Sequence, residues 1–395
     1  MQNKLTYVVV LGAVFMLSPF AIDMYLPALP TIADSLHTDI DALEATVSIF
    51  LFGFALGQLI LGPISDAFGR RSVLIGGLIV FAGASFLAGT AQTLDQLYAW
   101  RFLQALGGAG SVSVFPLVRE RFGETESAKI ISYIMAITVV APLVAPIIGG
   151  YVLTYAGWGA IFFLLSALGA VAFFASAIFI QDGPQERRPL SLTRITKGYV
   201  SVFAEKRIIA AILSGGFAFA GLFAFVAGSP FVYISYFGVA PENYGYLVGV
   251  NAVAMIGANL INAQLLANVD PVAKVFAGAT VLVLAGLTLL SVAALNLGLI
   301  PLVASVVVFV GALGMTATNA IVVALSVLPK ENGTVAALNG ALQFGIGAVS
   351  SFLVSIMAST DAIPMTLVMA GCGVAAFASA LFLKHSNLKK GTPYA

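Results

Sequence analysis

Long apolar runs recur along the whole chain, each of about 20 residues or more and each bounded by charges, proline or glycine. A run of that length is what one helix needs to cross a bilayer, so the repetition reads as a polytopic membrane protein. Twelve spans are expected, over residues 5–30, 43–65, 72–91, 96–119, 128–155, 158–180, 207–237, 243–267, 271–294, 298–328, 333–358 and 361–384. Composition closes off the soluble alternative. Charged residues are 9% and AVILMFWYC residues 60% of the 395, too few charges to cover a water-facing surface of this size. The first run carries only Lys4 before it and no small-residue cleavage site after it, so it is expected to remain as a span.

Several chemistries lose their footing on the same reading. One cysteine, Cys372, makes neither an internal disulfide nor a cysteine metal site, and two histidines near span ends (His37, His385) make a poor ligand set. No cofactor is expected. A net charge of +1 gives a nucleic acid no electrostatic footprint. No HExxH, GxSxG or pair of embedded aspartates suggests an intramembrane enzyme, and no loop is long enough for a receptor module.

The charged stretch Gln181–Lys206 divides the spans six and six, which predicts an N-terminal bundle over 1–181, a linker over 182–206 and a C-terminal bundle over 207–395. Basic residues predict sidedness. Seventeen of the 18 Lys and Arg fall on one side of the twelve-span arrangement: Lys4, the 70–71 pair, the 119–129 loop, the linker, Lys274, Lys330 and the tail. The opposite loops carry Asp34, Asp39, Asp41, Glu44, Asp95, Glu242 and Asp361 and no base. Both termini and the linker are therefore expected in the cytoplasm.

The eighteenth base is Arg101, inside span 4, and the acid expected deep in a span is Asp23, in span 1. Charges in hydrocarbon are costly and mark functional sites by default. Both residues fall in the outer halves of their spans, so they are expected to meet at one level; a static pair that only fixes packing is the plainer alternative. Around Asp23, Pro19, Pro27 and Pro30 preclude a uniform helix. Gln104 shares a face with Arg101, and Gly107, Gly108 and Gly110 allow a backbone to approach. Tyr133, Phe223, Asn251 and Asn339 are further candidates to touch a small-molecule substrate. Amides in such spans serve equally well as interhelical glue.

Gly62-Pro63-Ile64-Ser65-Asp66-Ala67-Phe68-Gly69-Arg70-Arg71 resembles the loop 2–3 signature of the major facilitator superfamily, at the cytoplasmic end where sidedness puts it. Arg101 to Gly108 resembles the superfamily's span 4 motif. Ala141-Pro142 with Ala145-Pro146-Ile147-Ile148-Gly149-Gly150 resembles its antiporter motif, with Ala145 in place of the usual glycine. The run Asp23 to Pro30 looks most like the twelve-span drug/proton antiporters of the bicyclomycin and chloramphenicol resistance branch. The resemblance implies an all-α membrane fold of two pseudo-symmetric six-helix bundles in a bacterial inner membrane, acting as a monomer. It implies export of a drug against protons, with Asp23 and Arg101 coupling the proton. Gly62, Asp66, Gly69, Arg70 and Arg71 would form a conformational latch, with Asp66 set against the start of span 11. Pro142, Pro146, Gly149 and Gly150 would bend and tightly pack span 5. An apolar cavity favours the neutral form of Asp23 and a nearby guanidinium favours its anion, so a modest change would decide protonation. A proton-coupled carrier of a sugar or amino acid remains the other reading within transport.

Overall fold

The protein is represented by a computed structural model that describes residues 4–181, 192–266, 268–328, 332–357 and 360–390. It is helical: α1 Lys4–Asp23, α2 Leu29–Leu36, α3 Ile40–Phe68, α4 Arg70–Gly89, α5 Leu94–Gly108, α6 Val114–Val139, α7 Ala141–Ala156, α8 Trp158–Phe179, α9 Leu192–Ala204, α10 Lys206–Pro230, α11 Pro241–Gln264, α12 Pro271–Ala294, α13 Leu299–Val327, α14 Asn332–Ser355 and α15 Ile363–Lys390. Two short 3-10 turns, Leu26–Ala28 and Ala109–Ser113, and a π turn, Phe231–Tyr236, join neighbouring pieces. Eleven helices among the described residues are long and apolar enough to cross a membrane. The expected span 96–119 is present in pieces, as α5, the 3-10 turn and the start of α6. α6 continues into the next span across Gly123, whose φ of 71° breaks the helix.

The chain forms two compact units. The first holds Met1–Thr38, Ile49–Ser191 and Ala240–Tyr246; the second holds Asp39–Ser48, Leu192–Val239 and Leu247–Ala395. The opening turns of α3 and α11 are thus grouped apart from the rest of their helices. Within the first unit α4 packs on α5 and α8, and α1 on α6, α7 and α8. Lipid gives helices no hydrophobic reason to associate, so close approach of small residues does that work. A Cβ at Gly77 would lie 2.6 Å from the Gly107 carbonyl oxygen, so α4 and α5 cross at their glycines as the Gly107–Gly110 spacing suggested. Val171, Phe174 and Ile178 of α8 point outward at helical spacing, an apolar face suited to acyl chains.

In the second unit α10 packs on α13, α14 and α15, and α12 on α13 and α15. One fully buried cluster there includes Ile208, Ala211, Val275, Val335 and Leu383. The expected linker is not plain loop: Leu192–Ala204 is helical, and Val202 is buried in that cluster with Tyr199 packed against it. Residues 182–191, including Arg187 and Arg188, lie outside the described residues.

Candidate functional site

α1 stops at Asp23. Met24 and Tyr25 form a turn, Leu26–Ala28 a 3-10 turn, and α2 then starts at Leu29. Pro27 and Pro30 lack the N–H groups a continuous helix would use, which is why the chain breaks here. Asp23 is 7% exposed and forms no ion pair among the described residues. Every residue of the break from Met24 to Leu29 is buried as well. A carboxyl group therefore sits at a backbone irregularity inside a span, shielded from bulk water.

Arg101 reaches the same level from α5 and is fully buried. Its Nη1 donates to the Ala21 carbonyl oxygen at 2.8 Å and to Gln104 Oε1 at 2.6 Å. Gln104 Nε2 donates to Ser85 Oγ at 2.8 Å, and that hydroxyl donates to the Phe81 carbonyl at 2.6 Å. The guanidinium lies 4.2 Å from the ring centroid of Tyr25, 4.4 Å from Phe50 and 5.9 Å from Phe162. The expected Asp23–Arg101 encounter is thus met in level, through Ala21 and Tyr25 on either side of Asp23, but the two side chains do not pair. A planar, weakly hydrated cation can be buried this way, caged by aromatic faces and in-plane acceptors. Lysine has no plane to stack, so Arg101→Lys is expected to cost about 2 kcal/mol. The checks are a lower apparent melting temperature in detergent and reduced transport.

The sequence profile of the Major Facilitator Superfamily matches residues 11–351. The chain belongs to the major facilitator superfamily. It is 34% identical to a bicyclomycin resistance protein homolog of Haemophilus influenzae, over 98% of this chain and 99% of that one. It is 31% identical to the multidrug resistance protein MdtL of a Salmonella strain, over 62% of each chain. Among solved structures, a bacterial homolog of the human lysosomal transporter Spinster superposes with a TM-score of 0.77, at 13% identity and 99% coverage of both chains. A D-xylose–proton symporter superposes with 0.75, at 13% identity and 96% coverage of both. The all-α membrane fold expected from the sequence is that of the superfamily, whose members are transporters and not enzymes.

The superfamily loop between α3 and α4 is built around Arg70. Its Nη2 pairs with Asp66 Oδ1 at 2.8 Å, and its Nε pairs with Glu120 at the end of the expected span 4. Arg71 donates to the carbonyls of Ala177 and Ile180 at 2.8 and 2.7 Å, capping the C-terminal end of α8 where a cation is favoured. Gly69 has φ 104°, a conformation side chains rarely adopt, whereas a Cβ at Gly62 would meet nothing within 4 Å. So Gly69 is needed for the turn and Gly62 is not needed for packing. Because Arg70 and Glu120 are mostly buried (15% and 10%), Arg70→Ala is expected to cost roughly 3 kcal/mol by removing a buried ion-pair partner of Glu120. A lower apparent melting temperature, partly restored by a second change Glu120→Gln, checks this.

The residues that resemble an antiporter motif lie on α7, with Pro142 in its first turn and Pro146 inside it. Both Gly149 and Gly150 are buried. A Cβ at Gly149 would overlap the Met24 carbonyl oxygen, one residue past Asp23. At Gly150 it would lie 2.8 Å from the Pro241 carbonyl oxygen, and a Cβ at Gly245 would lie 2.6 Å from the Ile147 nitrogen. Here α7 presses on the helix 1 break with one glycine and on the opening turn of α11 with the next.

The remaining candidates separate. Tyr133 is half-exposed and lines a cavity of about 800 Å³ in the first unit, with Val8, Ile130, Ile137 and, at its edge, the ion pair Lys4–Glu126. Gln104 is fully buried in the Arg101 network, and Phe223 is packed against Phe344 and Gly347. Asn339 donates to Gln343 at 3.5 Å. Asn251 is 4% exposed, and neither atom of its amide has a hydrogen-bond partner among the described residues. Two other amides of α11 act as glue: Asn319 donates to Asn262 at 2.9 Å, and Thr318 to Asn259 at 3.2 Å.

One acid escaped the sequence reading. Glu44 was expected in an outer loop, but α3 starts at Ile40 and Glu44 is fully buried. Asp23 is therefore not the sole acid embedded in a span. The signal was the helical spacing of Leu43, Val47, Phe50 and Leu51, which runs straight through Glu44.

Proposed function

We propose that this chain is a proton-coupled exporter of small neutral or weakly charged amphipathic compounds, phenicol- and bicyclomycin-like antibiotics among them. It works by alternating access in the bacterial inner membrane, as a monomer, with both termini in the cytoplasm. The observation that carries this reading is Asp23: a carboxyl buried at a helix break and held by no ion pair among the described residues, so that a proton can be exchanged without dismantling a salt bridge. The printed names of the relatives, bicyclomycin and multidrug resistance, support the cargo class. The largely apolar lining of the cavity beside Tyr133 suits such cargo.

In the proposed cycle, cargo arriving from the cytoplasm displaces the proton of Asp23, the carrier reopens outward, and reprotonation from outside expels the cargo. Arg101 touches the chain on both sides of Asp23, at the Ala21 carbonyl and the Tyr25 ring, and so positions the carboxyl without neutralising it. Each proton supplies about 1.4 kcal/mol per pH unit and about 2.3 kcal/mol per 100 mV of membrane potential. The loop of Asp66, Gly69, Arg70 and Arg71 is assigned the state-setting role implied by the family resemblance. A susceptibility screen tests the cargo class: a strain overexpressing the chain is expected to resist phenicols or bicyclomycin and to accumulate less of them. Unchanged susceptibility to both, with the protein present in the membrane, would overturn that assignment.

A further inference from the structure

Glu44 is fully buried in the second turn of α3, and neither carboxyl oxygen has a hydrogen-bond partner among the described residues. One turn further along the same face, Ser48 is also buried, and its Oγ has no partner either. The intervening Thr46 turns its hydroxyl back onto the Leu43 carbonyl at 2.5 Å and so offers Glu44 nothing. No cation forms an ion pair with Glu44 among the described residues. The charged neighbour that acts on it is Asp41, one turn earlier, an acid that opposes a second negative charge. The helix N-terminus favours an anion only within its first turn, which Asp41 occupies and Glu44 has left.

A carboxylate closed off from water without a donor or a cation costs several kcal/mol, and the neutral acid avoids most of that cost. We propose that Glu44 is a second proton-binding site of this carrier, loaded in the state described here and emptied when the outer end of α3 opens to water. Asp39–Ser48 belongs to the second unit and the remainder of α3, from Ile49, to the first. The site binds a proton as the closed end forms and releases it as that end opens. Linkage then makes outward opening easier as the outside becomes less acidic. The proton site itself stands on burial and the missing partners; its place in the cycle rests on the proton-coupled reading given above.

The test is infrared spectroscopy of the purified full chain in detergent at neutral pH, as wild type, Asp23→Asn, Glu44→Gln and the two combined. Glutamine has the shape of the neutral acid, so that variant is expected to fold. The expected result is a buried protonated-carboxyl band that persists in Asp23→Asn, where Glu44 is the acid under test, and disappears when Glu44→Gln is added to that variant. Wild-type protein labelled isotopically in its glutamate carboxyls gives the same answer without a mutation, because the band must shift. No such band in Asp23→Asn, or one that survives the further change Glu44→Gln in that background, would overturn the proposal. In proteoliposomes a step that must release this proton changes rate by up to about tenfold per pH unit; Glu44→Gln is expected to remove that dependence, and an unaltered pH profile would refute the role in the cycle. Wild-type export without proton coupling, with the band present, would remove the proton-coupled reading and leave the proton site standing.

Discussion

Replacing Asp23 with asparagine is expected to reduce export driven by a pH gradient to background while leaving insertion and detergent stability near wild type. The substitution keeps size and hydrogen-bonding capacity and removes only the exchangeable proton. Asp23 forms no ion pair among the described residues, so its loss strands no buried cation. Arg101, the nearest candidate to be stranded, keeps its contacts with Ala21, Gln104 and the three aromatic rings. The variant should therefore still bind cargo and still let it equilibrate down its own gradient. Drug efflux from energised cells measures the first effect, and unfolding in detergent measures the second. A variant with the wild-type response to a pH gradient would show that another group carries the coupling.

Gly149→Ala is expected to abolish export almost as completely, through a different cause. A single methyl at this position collides with the Met24 carbonyl oxygen, and that atom is backbone, so no side-chain rotation relieves the overlap. Either α7 withdraws or the helix 1 break deforms, and both displace Asp23. Overpacking of this kind costs about 1–3 kcal/mol. Gly150→Ala meets its nearest atom, the Pro241 carbonyl, at 2.8 Å and is expected to be milder. Gly62→Ala meets nothing within 4 Å and serves as the neutral comparison. Export assays on the three variants, normalised to the amount of protein in the membrane, give the ranking. Wild-type export by Gly149→Ala would mean that α7 does not constrain the Asp23 segment.

The helical architecture was legible because a bilayer imposes one rule, that every apolar run of sufficient length satisfies its backbone internally. The break after Asp23 was legible for a similarly local reason: two prolines within a few residues remove the donors a helix needs. Arg101's surroundings were not. Spacing along α5 puts Gln104 on the same face, but the choice among Asp23, Ala21, Tyr25, Phe50 and Phe162 depends on how separate helices rotate against one another, and no single segment encodes that. Glu44 was hidden by its company. Asp39, Asp41 and Glu44 read together as a solvated acidic loop, and only the start of α3 at Ile40 shows that the last of the three turns inward. The helix in the linker, Leu192–Ala204, was legible and was passed over: Leu192, Ile195, Tyr199 and Val202 recur at helical spacing, but Arg194 and Lys197 between them made the stretch read as part of a charged linker.

The central claim is that cargo and protons move in opposite directions through exchange at Asp23. Purified protein in proteoliposomes carrying an internal pH reporter tests it most directly, with a gradient of a phenicol as the only driving force. Wild-type protein is expected to move protons against the drug flow and to shift the internal pH, while Asp23→Asn lets the drug pass with no shift. Drug flux through the wild type without any proton movement, or an equal pH change in Asp23→Asn, would contradict it.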